Sequence, residues 1–157
     1  MALDTVDGAT WTGTIYMGKF SPMDVVFDTG SDWLVVESNK CDSCEGNTYD
    51  TSKSTRLATT ESERFYGSLV LSGEEHHDTV CLLLSVCLSK FEYFAIYEQN
   101  GMREPIDGIL GLSRGGEFYN ENYWKGEREE GRLLLNELYQ QSKIDSKTIS
   151  FYFNGRG

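Results

Sequence analysis

The chain has few basic residues and no long apolar run. It carries 14 Lys and Arg against 25 Asp and Glu, which gives a formal net charge of -11 at pH 7. Nucleic-acid-binding proteins usually present a basic face, so this balance argues against a polyanionic partner. No stretch of about 18 apolar residues occurs, so we expect no membrane-spanning helix. The N-terminus MALDTVDGATW lacks the basic and apolar regions of a signal peptide, and we expect any leader or pro-segment to lie outside these residues.

The composition is otherwise that of an ordinary globular domain. The 157 residues are 39% hydrophobic and 13% aromatic, which is enough to bury a core. The sequence contains neither an internal repeat nor a low-complexity linker. We therefore expect residues 1–157 to form one domain.

Cysteine is scarce and comes in two close pairs, Cys41 with Cys44 and Cys81 with Cys87. An even number favours disulfides and a secretory protein, and the short separations predict pairing within each pair. A zinc site with four thiolates is an alternative, because CDSC has ligand spacing, although CLLLSVC separates its thiols by five residues and is apolar. A redox Cys-x-x-Cys motif is a third possibility, but no βαβ pattern surrounds it.

The first two thirds of the chain have a β pattern. Short runs rich in β-formers, punctuated by Gly, Asp, Asn and Ser, predict strands at TGTIYMG, MDVVFD, WLVVE, RFYGSLVLSG, DTVCLLL and KFEYFAIYE. Many short strands indicate a folded-over sheet or a barrel.

The last third predicts one helix and one strand. In RLLLNELYQQSK, Leu134, Leu135 and Leu138 share a helical face, with acidic residues upstream, as the helix dipole favours. The alternation in TISFYF, residues 148–153, predicts a strand with one buried face.

Two polar segments have less obvious roles. We interpret GEEHHD, which contains His76 and His77, as a solvated turn and assign no metal, because adjacent strand residues point to opposite faces. Residues 117–132 mix aromatic and charged side chains without a clear period. They predict a surface loop, with a substrate-contacting insertion as the alternative.

One acid, Asp28, lies between the apolar runs VVF and WLVV and is followed directly by Thr29 and Gly30. A carboxylate beside a buried strand is costly unless hydrogen bonds compensate it, so it is either an anchor or part of a site. The glycine permits a tight turn, and backbone donors can then hold the carboxylate. Asp-Thr-Gly alone would be consistent with an ordinary turn.

Four motifs occur together and in order: WTGTIYMG, FDTGS, FYGSLVLSG and PIDGILGLS. This series resembles the N-terminal lobe of the pepsin-like aspartic proteases over nearly the whole chain. DTGSDWLVVE and a cysteine pair after DTV are most similar to ciliate and other protist members. The resemblance implies a mostly β fold, namely a six-stranded, barrel-like lobe with one or two short helices.

The resemblance also implies roles for residues of the loop. Asp28 would be one of two aspartates that share a proton and activate water, a mechanism known from this family. Thr29, Gly30 and Ser31 would support it, the two hydroxyls through hydrogen bonds.

The same resemblance implies a substrate-binding region. Tyr66 would close over the substrate from a flap hairpin, whose backbone at Gly67 and Ser68 would bind an extended peptide. Val26 and Ile109 would line the pocket beside the scissile bond.

The chain departs from the family pattern at several points. Leu69 stands where the flap usually has a second glycine, which predicts a stiffer tip. The tryptophan that normally follows the catalytic loop corresponds to Val35, with Trp33 two residues earlier. No second Asp-Thr-Gly or Asp-Ser-Gly occurs anywhere.

The expected function is therefore that of half an aspartic endopeptidase. One carboxylate cannot be both acid and base, so the partner would be a C-terminal lobe, either a separate chain or a missing segment. The alternative is a non-catalytic module that binds peptide or polysaccharide. We expect a peptide or protein substrate, no cofactor, no metal, no nucleic acid and no membrane, in a secreted, lysosomal or vacuolar protein.

Overall fold

The computed structural model describes residues 1–5, 8–18, 20–57, 61–102, 106–113 and 132–152. Within them the chain forms mainly strands, as the sequence predicts. The strands are β1 (Asp4–Thr5), β2 (Trp11–Met17), β3 (Ser21–Asp28), β4 (Leu34–Glu37), β5 (Thr55–Arg56), β6 (Ser62–Tyr66), β7 (Leu69–Leu83), β8 (Val86–Asn100) and β9 (Gly108–Gly111). The same residues contain one α-helix, α1 (Leu134–Gln140), and one 3-10 turn (Thr51–Lys53).

Six of these strands close into a barrel. Their order is β2, β3, β9, β4, β8 and β7, and β7 returns to β2 through the pairs Tyr16–Cys81 and Met17–Val80. Strands β1, β5 and β6 pair with members of the barrel from outside the ring. The expected six-stranded β lobe is thereby confirmed.

Strand β9 lies between two strands that are consecutive in the sequence. It pairs in parallel with β3, from Val25–Gly108 to Asp28–Gly111, and antiparallel with β4. The short loop from β3 to β4 must therefore cross the end of β9. This crossing places Asp28, the last residue of β3, at the carboxyl end of β9.

Strand alternation divides the buried residues between two clusters, because successive side chains point to opposite faces. The large core also receives Leu134 and Leu138 from α1, which confirms the predicted helix. Its strand residues include Ile15, Met17, Met23, Val25, Leu34, Val36, Val80, Leu88, Tyr93, Ala95 and Leu110. The second, which we term the site cluster, consists of Trp33, Val35, Leu71, Phe94, Ile96 and Ile109.

The chain after α1 differs from its prediction. Residues 148–152 contain no strand, and Phe151 is 40% and Tyr152 92% exposed. A strand needs a neighbour for its backbone hydrogen bonds, and no described strand pairs with this segment. The expected loop at 117–132 falls almost wholly within 114–131, which lie outside the described residues.

The interpretation of GEEHHD as a solvated turn was wrong. These residues continue β7 and pair with β8, where His76 lies opposite Tyr93. His76 is buried, with Nδ1 2.8 Å from Ser54 Oγ and Nε2 3.2 Å from Tyr97 Oη. The hydrogen bonds with Ser54 and Tyr97 compensate for the burial of the imidazole, although the local sequence indicates exposure.

Both predicted disulfides are present. Cys41 is bonded to Cys44, and Cys81 is bonded to Cys87 directly across the β7–β8 hairpin. The bonds occupy all four thiols, so none is left as a thiolate ligand for the zinc alternative. In the part of the chain that the structure describes, no helix has the length and apolar character needed to cross a membrane.

Burial of His76 predicts a dependence of stability on pH. Desolvation, with the positive charges of Lys40, Arg56 and His77, lowers the pKa of His76 from 6.5 to about 4. The neutral imidazole therefore stabilises the fold fully above pH 6.5, and this contribution is lost as the pH falls towards 4, because the unfolded chain takes up the proton first.

We expect the free energy of unfolding to fall by up to ~3 kcal/mol from this group between pH 7 and pH 4. Urea denaturation at a series of pH values should show a shallower decline for His76→Asn than for the parent. His77→Asn, one position along β7, is the matched comparison and should change the slope much less, because the charge of His77 is the smallest of the causes that lower the pKa of His76. Equal slopes for the parent and His76→Asn would contradict the assignment.

Candidate active site

Asp28 ends β3 at the point where the chain leaves the barrel. Its side chain is half-buried, and its Oδ1 accepts a hydrogen bond of 2.9 Å from the backbone N–H of Gly30. Both Thr29 and Gly30 are exposed. The carboxylate is therefore held by its own loop while remaining open to solvent, which a reacting group requires.

The end of β9 fixes the rest of this loop through backbone hydrogen bonds. The N–H of Gly111 donates to Trp33 O at 2.9 Å, that of Leu112 to Asp28 O at 2.7 Å, and that of Ser113 to Ser31 O at 3.0 Å. These three bonds bring the two ends of the loop together. The conformation around Asp28 thus depends on residues far away in the sequence.

A second acid in the loop, Asp32, was not singled out by the sequence analysis. Its carboxylate accepts a hydrogen bond from the hydroxyl of Ser113, beside the Ser113–Ser31 backbone bond. The available signal was an additional acid directly before the apolar run of β4. Asp32 ties the loop to the chain that follows β9.

The two hydroxyls expected to support Asp28 occupy different surroundings. Thr29 is exposed, whereas the Oγ of Ser31 is buried and has no hydrogen-bond partner among the described residues. A buried hydroxyl without a partner is energetically costly. Ser31 is therefore the hydroxyl with unused hydrogen-bonding capacity next to the carboxylate.

The expected flap is a hairpin of β6 and β7. Tyr66 and Leu69 form the last pair, and Gly67 and Ser68 form a two-residue turn that is exposed. Gly67 has φ +62, a conformation that glycine adopts without strain. Leu69, in place of the usual glycine, packs with Tyr66 against the site cluster.

The site cluster brings together residues that the sequence analysis had assigned to the substrate pocket. Val26 and Ile109 are a register pair of β3 and β9, and Val26 and Tyr66 pack against the cluster to which Ile109 belongs. Trp33 is buried in the same cluster, and Val35 is fully buried. An apolar surface therefore lies between the loop of Asp28 and the hairpin.

Asp107 is another acid that could not be singled out from the sequence. Only 2% exposed, it accepts hydrogen bonds from the backbone N–H groups of Asp24 and Asn47, each at 2.7 Å, and from the side-chain amide of Asn47 at 3.2 Å. These bonds fasten the start of β9 to β3. In the part of the chain that is described, no group of three or more His, Cys, Asp and Glu side chains is placed to hold a metal ion.

Comparison with known families identifies the chain. The family model of the eukaryotic aspartyl proteases matches residues 10–157. The protein therefore belongs to the eukaryotic aspartyl protease family, as the four motifs indicated. Comparison with the curated proteins gave no significant match.

We predict that Gly111→Ala destabilises the fold strongly. A Cβ there would lie 2.3 Å from the backbone C of Asp32 and 2.6 Å from Ser31 O, and backbone atoms cannot move aside as a flexible side chain can. We expect a loss of about 3 kcal/mol in the free energy of unfolding, measured with urea.

Gly8→Ala is the control for this substitution. Nothing lies within 4 Å of the added methyl group, and the φ of +75 alone should cost about 1 kcal/mol. If both variants lost the same free energy of unfolding, β9 and the loop would not be tightly packed against each other at Gly111.

Proposed function

We propose that this chain is the N-terminal lobe of an aspartic endopeptidase and that Asp28 supplies one of its two catalytic carboxylates. The observation that carries the proposal is the placement of Asp28. Its carboxylate is fixed by the N–H of Gly30 and remains partly open to solvent. Trp33, in the same loop, belongs to the apolar cluster against which the hairpin residue Tyr66 packs. Membership of the family supports a protease-type activity.

The chemistry follows from two carboxylates that share one proton. The ionised carboxylate takes a proton from a water molecule, the water oxygen attacks the peptide carbonyl, and the protonated carboxyl group donates its proton to the carbonyl oxygen. Collapse of the tetrahedral intermediate then breaks the C–N bond as the leaving nitrogen is protonated. Like charges at short range keep one of the two groups protonated over the working pH range.

The second carboxylate comes from outside these 157 residues in this proposal. The sequence has a single Asp-Thr-Gly and no Asp-Ser-Gly, and one carboxyl group cannot serve as acid and base in the same step. The second lobe is then a separate chain or a further segment of the polypeptide. An extended peptide would lie between the lobes, against the backbone of Gly67 and Ser68.

The two disulfides support assignment to the secretory pathway, as a secreted, lysosomal or vacuolar enzyme. Such compartments accommodate an enzyme with an acidic working range. The substrate class in this proposal is a peptide or an unfolded protein segment.

Asp28→Asn tests the catalytic assignment. In the chain completed by its second lobe, we expect this substitution to lower kcat by at least about a thousandfold at unchanged fold, since the amide neither ionises nor shares a proton. The parental rate should fall on both the acid and the alkaline side of its optimum.

Asp42→Asn, an exposed acid-to-amide change near the first disulfide, is the control and should keep the parental rate. Peptide hydrolysis at the parental rate by a correctly folded Asp28→Asn enzyme would refute the assignment. Tight binding of a statine-type peptide with no hydrolysis by the completed parent would instead favour the non-catalytic module.

The chain of 157 residues by itself should not hydrolyse peptides as a monomer. One lobe supplies one aspartate and leaves half of the binding cleft uncovered. The measurement is hydrolysis of a fluorogenic peptide between pH 3 and pH 7, with the oligomeric state checked by light scattering in the same buffers. Turnover by a verified monomer would show that a second lobe is unnecessary.

A further inference from the structure

A buried ion pair lies beneath the hairpin of β6 and β7. Arg64 from β6 is 7% exposed and Glu75 from β7 is 6% exposed, and Arg64 Nη2 lies 2.8 Å from Glu75 Oε1. Desolvating two charges often costs more than their attraction returns, so well-packed apolar residues would stabilise such a position at least as well. Fold stability alone therefore gives no reason for this pair.

The guanidinium of Arg64 also contacts two aromatic rings. Its Cζ lies 4.8 Å from the centre of the Trp33 ring and 4.7 Å from that of Phe94. Both distances fall within the range of a cation–π contact, which gains strength when water is excluded. A planar guanidinium can stack on two rings while its edge donates hydrogen bonds, which a lysine ammonium cannot do.

Two further hydrogen bonds, both from Nη1, hold Arg64 to its own strand. Nη1 donates to the hydroxyl of Ser62 and to the backbone oxygen of Glu63, each at 3.0 Å. One side chain thus connects the hairpin with β7, with β8 through Phe94, and with Trp33, the last residue of the Asp28 loop.

Arg64 and Tyr66 lie on the same face of β6. They are two positions apart, and Phe65 between them is 45% exposed, whereas Arg64 is buried and Tyr66 packs against the site cluster. Both inward residues meet the cluster that contains Trp33. Arg64 and Tyr66 therefore both join the hairpin to the cluster that contains the last residue of the Asp28 loop.

We propose that Arg64 is a positioning residue of the active site: paired with Glu75 and in contact with the rings of Trp33 and Phe94, it holds the hairpin at a fixed distance from the Asp28 loop. The proposal deepens the proposed function and rests on it for its effect on substrate binding. Its structural part, the hold on the hairpin, is measurable in the chain without any activity.

The first experiment uses hydrogen exchange on the chain of 157 residues. Arg64→Lys keeps the charge and loses the planar guanidinium that contacts both rings, so the amides of residues 63–71 should exchange about tenfold faster, equivalent to ~1.4 kcal/mol. Arg56→Lys is the matched control, because Arg56 pairs with Glu74 on the same strand, β7, but comes from β5.

In the control the hairpin amides should exchange as in the parent. The proposal would be overturned if the hairpin amides of Arg64→Lys exchanged at the parental rate. It would also be overturned if their exchange rate rose no more than that of the amides at the centre of β8. Because this readout needs no turnover, it decides the role of Arg64 even if the chain proves not to belong to an active protease.

The second experiment separates positioning from simple charge compensation. The double variant Arg64→Met with Glu75→Leu removes both charges, so its stability should equal or exceed that of the parent. In the enzyme completed by its second lobe, we expect KM for a peptide to rise about tenfold with kcat changed less than twofold, because the hairpin binds substrate but does not carry out the proton transfer.

A double variant with parental KM and parental hairpin exchange would show that the pair only avoids an unpaired charge, and would overturn the proposal. Failure of the proposed function gives a different result: the parent itself would be inactive, while the exchange difference between Arg64→Lys and Arg56→Lys would persist.

Discussion

The insertion of β9 between β3 and β4 is the constraint on which the site depends. Because β9 separates the two strands, the loop that joins them must cross its end, and the backbone of Gly111 approaches that of Asp32 too closely for any side chain. Three backbone hydrogen bonds then close the loop around Asp28. The carboxylate of Asp28 owes its position to main-chain geometry.

Buried polar groups around this frame connect elements that apolar packing alone would leave free to slide. Asp107 joins β9 to β3 and to the backbone of Asn47, and His76 joins β7 to residues on either side of it. Each group has partners with good geometry, so its desolvation is compensated. Directional hydrogen bonds specify the register of neighbouring strands in a way that the non-directional hydrophobic effect does not.

Features encoded locally could be predicted from the sequence, whereas features that depend on distant partners could not. The periodicity of Leu134 and Leu138 predicted α1, and the motif around Asp28 predicted its loop. His76 was misassigned because Ser54 and Tyr97, which make its burial acceptable, come from other parts of the chain. Asp32 and Asp107 were passed over for the same reason, and the alternation at 148–152 predicted a strand that lacks a described neighbour.

The closure of the barrel has a consequence for how the protein folds and misfolds. Strands β2 and β7 meet through two residue pairs, between segments far apart in the chain, whereas β7 and β8 are adjacent and joined by a disulfide. Contacts that close such long loops form late in folding. Until this contact has formed, two strands remain sheet edges with unpaired backbone groups, and such edges can template aggregation. The junction of β2 and β7 is thus the place where an incompletely folded lobe would be exposed to association with other chains.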